Sequence, residues 1–158
     1  VKALALSASI FLVACGGANE ALRTAVVVTA AGVVEVDETA ARIAADTRES
    51  HGDQADREFP DQPDAARSRF LELRAPFWKM DEVVTGVGEL LFSAEAFLDA
   101  HGSSGFEPVA ACIVRGLGRL SDAGKAIGLE MPEVIQSGFA LLEGLEGRCD
   151  VEGEGDHE

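Results

Sequence analysis

Residues 20–47 read EALRTAVVVTAAGVVEVDETAARIAADT, and the fold class turns on whether this stretch is strand or helix. On propensity the run from Ala25 to Val36 is strand-like, because Val and Thr are β-branched and fit a pleated sheet. On periodicity it is helical. Leu22, Val26, Thr29, Val33, Val36, Ala40, Ile43 and Thr47 follow one another in alternating steps of four and three, which lines them along one face of a helix. A period held from Leu22 to Thr47 outweighs the propensity of twelve residues. The alanines at 21, 25, 30, 31, 40, 41, 44 and 45 add to the helical side, and Gly32 subtracts a little. The spacing predicts a first helix over about 19–50, about 48 Å long at about 1.5 Å per residue.

The same period returns further on. Residues 51–63, HGDQADREFPDQP, carry Gly, two Pro and clustered charge, and read as the longest connection, with Phe59 tucked back onto the domain. Pro63 and Asp64 form a helix-start signal for a short helix over 64–75. Pro76 lacks the N–H of a continuous ladder, so a kink or restart is expected there. From Phe77 the stripe Met80, Val84, Val87, Leu91, Ala94 and Leu98 predicts a second long helix, capped by Gly102. A third has Pro108 in its first turn and the face Val109, Ile113, Gly116, Leu120, Ala123 and Ile127, and stops at Gly128. A fourth opens at Pro132 with Ile135, Gly138, Leu142, Leu145 and Cys149. Residues 15–149 are therefore expected to fold as an all-α, antiparallel helical bundle of four helices. Glycines 116, 118, 124, 138, 144 and 147 cost helix stability unless neighbouring helices approach closely over them. The tail, residues 150–158, holds Asp150, Glu152, Glu154, Asp156 and Glu158, and is expected to be solvated and disordered.

Composition narrows the function classes. Among 158 residues there are 28 Asp+Glu against 13 Lys+Arg, a formal charge of −15, with no basic cluster to neutralise phosphates. Nucleic acid is excluded as a partner on that ground. No Tyr and a single Trp leave few aromatics for stacking platforms. One domain of this length can bury roughly 70% of its unfolded surface and needs no metal or disulfide to hold a core.

The N-terminus reads as an address. Lys2 precedes an uncharged run from Ala3 to Ala14, followed by Cys15, Gly16 and Gly17, the layout of a secretory signal over residues 1–14. The run is too short to span about 30 Å of hydrocarbon, which takes about 20 residues. Leu12-Val13-Ala14-Cys15 with Gly16 resembles the lipobox of bacterial lipoproteins. That resemblance implies cleavage before Cys15, a diacylglycerol on its thiol and acylation of the new amino group, and so a firm membrane anchor, since two or three acyl chains hold where one does not. It further implies the cell envelope, and the outer membrane in a Gram-negative host, from Gly16. In the mature part, Val-Asp-Glu-Thr-Ala-Ala-Arg at 36–42, Pro-Phe-Trp-Lys-Met-Asp-Glu at 76–82, and Cys112 and Cys149 resemble small helical proteins of bacterial and prophage genomes that bring no assigned activity.

Few residues offer chemistry. In an antiparallel hairpin of the last two helices, residue 112 lies opposite about residue 147, so Cys112 and Cys149 fall near each other. An exported chain meets oxidising conditions, and a disulfide is expected, closing a loop that the chain-entropy model values at roughly 3 to 4 kcal/mol. The competing reading is two separate buried thiols. His51, His101 and His157 share no helical face with a second ligand, and Cys-x-x-Cys-His and Glu-x-x-His patterns are absent. No metal and no cofactor are expected. His101 reads as a partner for a helix dipole. Glu35, Asp37 and Glu38, and the pair Asp81-Glu82, read as solvated helix surface, and no Gly-x-Ser-x-Gly elbow or phosphate loop occurs. Arg67, Arg69 and Arg74 are interspersed with Asp61, Asp64 and Glu72 and make no anion funnel. Phe77 and Trp78 lie in the densest apolar segment after the signal, residues 75–80. Trp78, close to Pro76, reads first as a core plug at the bundle end, and Phe77 and Trp78 together are the candidates for binding a partner.

The function expected is that of a membrane-tethered envelope lipoprotein, not an enzyme. It binds an envelope protein partner, with the membrane as the other partner through its lipid. The alternative is a carrier or sensor of a small apolar ligand with a pocket between helices.

Overall fold

The computed structural model describes residues 18–143. Residues 1–14, Cys15, Cys149 and the acidic tail, with the expectations attached to them, lie outside the described residues. Within them, all regular secondary structure is helical: α1 (Ala18–Asp46), α2 (Arg48–Glu58), α3 (Pro63–His101), α4 (Glu107–Ala126) and α5 (Glu133–Glu143).

The periodic stripes become the core. Val26, Val33, Val36 and Ala40 of α1 are buried together with Met80, Val84, Val87, Leu91, Ala94 and Leu98 of α3, Ile113, Leu120 and Ala123 of α4, and Ile135 and Leu142 of α5. Thr29 is fully buried in the same stripe. Its hydroxyl donates to the Ala25 carbonyl at 2.7 Å, which removes the penalty of an unsatisfied buried polar group. The β-branched run of α1 is helical throughout, because burying one continuous apolar face against α3 and α5 outweighs a propensity difference of tenths of a kcal/mol per residue.

The contacts fix the directions of two pairs. Arg23 of α1 donates to the Leu98 carbonyl of α3 at 3.3 Å and pairs with Asp99 at 2.5 Å, while Arg74 of α3 donates to the Ala44 carbonyl of α1 at 2.7 Å. Numbers rise on α1 as they fall on α3, so the two run in opposite senses. A Cβ at Gly32 would meet Val134 Cγ1 at 2.6 Å, and one at Gly138 would overlap Thr29 Oγ1. That register sets α5 against α1 in the opposite sense too, at a separation only glycine permits.

Three features differ from the sequence reading. The first helix does not run to residue 50. It ends at Asp46, and Thr47 forms a turn before α2. Arg74 takes the Ala44 carbonyl, the acceptor that the Arg48 N–H would use in an unbroken ladder, and Thr47 Oγ1 donates back to the Ile43 carbonyl at 2.7 Å. Residues 51–58 are helix, not connection, so there are five helices where four are expected. Ala55 is buried, His51 stacks on Phe77 with ring centroids 6.0 Å apart, and Arg69 of α3 pairs with Glu58 at 2.8 Å. These contacts with α3 stabilise a segment whose composition reads as a loop. Finally, the short helix and the one after Pro76 are a single helix: α3 does not restart there but continues through Pro76.

Other signals appear as read. Pro63 opens α3 and Gly102 closes it with φ of 65°, and Gly128 ends the α4 turn with φ of 73°. Phe106, absent from the expected stripes, is among the largest fully buried side chains. It stands just before α4 and rests on Phe97 at 6.1 Å between centroids.

Candidate functional site

Two surface features of α3 stand out, one groove and one exposed stripe. Seven-residue spacing puts Leu71, Trp78, Thr85 and Phe92 on one line along α3, and the buried residues Met80, Val84, Val87 and Leu91 lie on the other side of the helix. Trp78 is 55% exposed and Phe92 is 73% exposed, with Leu71 exposed as well. They leave large apolar side chains exposed along one line of α3.

Phe77 and Trp78, neighbours in sequence, separate in the structure because successive helical residues point about 100° apart. Phe77 is half-buried, with the Arg74 guanidinium 4.7 Å above its ring and His51 at its side. It packs between α2 and its own helix. The core plug is expected of Trp78, and the exposure of Trp78 corrects that expectation: it faces solvent.

Around the helix from Trp78, residues of α3 and α4 line a groove of about 960 Å³. Its floor and walls are small or apolar: Ala75, Val83, Gly86, Val87 and Leu90 from α3, Gly116, Ala123 and Ala126 from α4. The helices come close at Gly116, where a Cβ would meet Val87 Cγ2 at 3.2 Å and Leu90 Cδ1 at 3.3 Å. A Cβ on Gly86 would meet nothing within 4 Å. The charges on the lips are Glu72, Lys79 and Glu82 on α3, Arg119 and Asp122 on α4. Two of the acids are already engaged: Glu72 with Arg69 at 3.1 Å and Asp122 with Lys125 at 3.4 Å. Among the described residues, Lys79 and Arg119 make no ion pair.

The remaining candidates are dispersed. Cys112 is half-buried on α4. Glu35, Asp37, Glu38 and Asp81 are exposed, as solvated helix surface should be. His101 sits in the last turn of α3 with its ring 4.9 Å from that of Phe97. Among the described residues no three His, Cys, Asp or Glu side chains gather as metal ligands, and no helix is long and apolar enough to cross a membrane. At the α2–α3 strap, hydrogen bonds from Gln54 and Arg69 hold the Glu58 carboxyl below its ordinary range.

The groove escapes the sequence reading because it arises between two helices, each of which buries its own stripe correctly. The one available signal is small residues at Gly86, beside the α3 stripe, and Gly116, on the α4 stripe. Compared with protein families, curated proteins and solved structures, the chain matches none.

Proposed function

We propose that the protein is a lipid-anchored binding module of the bacterial cell envelope, held to a membrane through Cys15 and docking an envelope protein along the outer face of α3. The observation that carries the docking face is Trp78, a large aromatic residue exposed to water on the side of α3 away from the core. Aromatic anchors of this kind supply a large share of interface energy. A tether adds to it by raising the effective concentration of the domain near a membrane-resident partner. The resemblance of residues 12–16 to a lipobox supports the anchor.

In this proposal α1, α3, α4 and α5 act as an antiparallel bundle of four, with α2 as a strap across one end. A Cys112–Cys149 disulfide ties the C-terminal segment to α4, as export to an oxidising compartment favours. The module is read as a binding protein and not an enzyme, because its three histidines are scattered along the sequence.

The experiment is crosslinking in intact cells with a photoreactive residue at position 78, together with mass analysis of the mature N-terminus. A single envelope protein crosslinked from position 78, and not from exposed position 37, with acyl chains on Cys15, is the expected result. An unmodified Cys15 thiol removes the anchor, and no specific crosslink removes the docking face. The groove between α3 and α4 favours a second reading, a carrier or sensor of a small apolar ligand, since its volume falls in the range of about 300–1,000 Å³ usual for small-molecule sites.

A further inference from the structure

We infer that the outer face of α1 docks a second copy of this chain, as an antiparallel helix pair with its two-fold axis at Ala31. The inference stands apart from the docking face of α3 and from the groove. Behind its buried stripe, α1 carries a second line of residues in steps of four and three: Glu20, Thr24, Val27, Ala31, Val34 and Glu38. Such spacing keeps one seam of a helix turned toward a partner helix. All six are exposed, Val27 at 51% and Val34 at 58%. From Thr24 to Val34 the sequence holds no charged residue, so on a chain of −15 the middle of this face is neutral and largely apolar.

The charges at the two ends of the seam decide its occupant and the direction of pairing. Arg42 is exposed one turn beyond Glu38 on the same face. Glu20 and Arg42 stand eleven residues to either side of Ala31, and Thr24 and Glu38 seven. An antiparallel copy centred on Ala31 therefore brings Glu20 of each chain against Arg42 of the other, twice, with Thr24 beside Glu38 and Val27 beside Val34. Among the described residues neither Glu20 nor Arg42 makes an ion pair within its own chain. Other arrangements set like against like. Parallel pairing opposes Glu38 to Glu38 and Arg42 to Arg42, and a slide that brings Glu20 to Glu38 opposes two acids, which selects against those pairings. Ala31 at the axis carries only a methyl group, so the two backbones can approach closely there. From Glu20 to Arg42 the seam is about 33 Å long at about 1.5 Å per residue. One helix pair is small against the about 1,200–2,000 Å² of a stable interface, so the dimer is weak and forms with rising concentration.

The test is sedimentation equilibrium of the full chain over a range of concentrations at about 0.15 M salt, where a Debye length of about 8 Å screens the general repulsion between two strongly acidic copies. A monomer–dimer equilibrium is expected. Glu20→Arg and Arg42→Glu should each weaken it about tenfold, since each sets like charges opposite one another. The two together leave the net charge at −15 and should return the dimer to within about threefold of the native chain. Ala31→Glu, which places two carboxylates at the axis, should abolish the dimer with an unchanged helical circular dichroism spectrum. A chain that stays monomeric at every concentration overturns the inference, and so does a dimer indifferent to Ala31→Glu. Single reversals that weaken a dimer which the double reversal does not restore overturn the antiparallel pairing. Binding of the monomer to phosphatidylcholine vesicles, lost in Ala31→Glu, gives the face to a lipid surface and overturns it as well.

Discussion

Gly138 shows how much depends on one missing methyl group. A Cβ there overlaps the Thr29 hydroxyl, which is itself fixed by its bond to Ala25, so the neighbour cannot yield cheaply. Gly138→Ala is expected to destabilise the domain by about 1–3 kcal/mol, as overpacking does. Gly118, also in a helix, has open space where its Cβ would go. Gly118→Ala should therefore gain about 0.5–1 kcal/mol, and urea titration of the two variants should shift the midpoint in opposite directions. Arg74 is a second single-residue hinge of stability. It donates to the Ala44 carbonyl and lies over Phe77. Arg74→Met keeps the stem but loses a charged hydrogen bond, with an expected loss of about 1.5–3 kcal/mol in the same assay.

At the level of elements, α3 is the helix on which α1, α2 and α4 all rest, and it carries Pro76 in its interior. The Glu72 carbonyl lacks its ladder donor there. Pro76→Ala restores it while losing the stiffness proline gives the unfolded chain, about 0.4–1 kcal/mol. The first effect is the larger, so a net gain of about 2 kcal/mol is expected by thermal or denaturant melting. The strap α2 should respond to acid. Gln54 donates to Glu58 Oε1 and Arg69 to Oε2, both at 2.8 Å, and these bonds lower the Glu58 pKa from its ordinary 4.5. A carboxyl whose folded pKa lies below the unfolded one contributes stability above the unfolded value and loses it as pH falls through the folded value. The pair is exposed, so the effect is small and screened by salt. Melting curves from about pH 6 down to about pH 3 should fall more steeply for the native chain than for Glu58→Gln.

For the molecule as a whole, the apolar residues divide into those that hold it together and those left for something else. Leu98 is fully buried, and Leu98→Ala should cost about 2–5 kcal/mol. Trp78 and Phe92 are exposed to the extent that replacing both with Ser should leave unfolding free energy within about 0.5 kcal/mol for each site. The same double variant should lose the crosslinked partner in cells. Normal folding together with normal partner capture would dissociate the stripe from function. Electrostatics adds a constraint at this scale: a net charge of −15 opposes self-association at low salt and favours partners that do not share its sign.

The helical class and the inward stripes were legible in the sequence because burial is periodic. Leu22 to Thr47 and Met80 to Leu98 each bury one line of side chains, and a period of three and four is visible without knowing what covers it. The helix stop at Gly102 was legible as well, since a positive φ favours glycine. What the residues could not display is what depends on a distant neighbour. Residues 51–58 read as loop by composition and are helix because Ala55 is buried and His51 and Glu58 find partners on α3. The break at Thr47 comes from an arginine far along the chain taking a carbonyl. Trp78 and Phe77 look alike in sequence, and only the rotation of α3 sends Phe77 toward α2 and Trp78 into water. The groove belongs to neither helix alone: its shape exists only once α3 and α4 are set side by side, because open space between helices is a property of tertiary contact and not of local pattern.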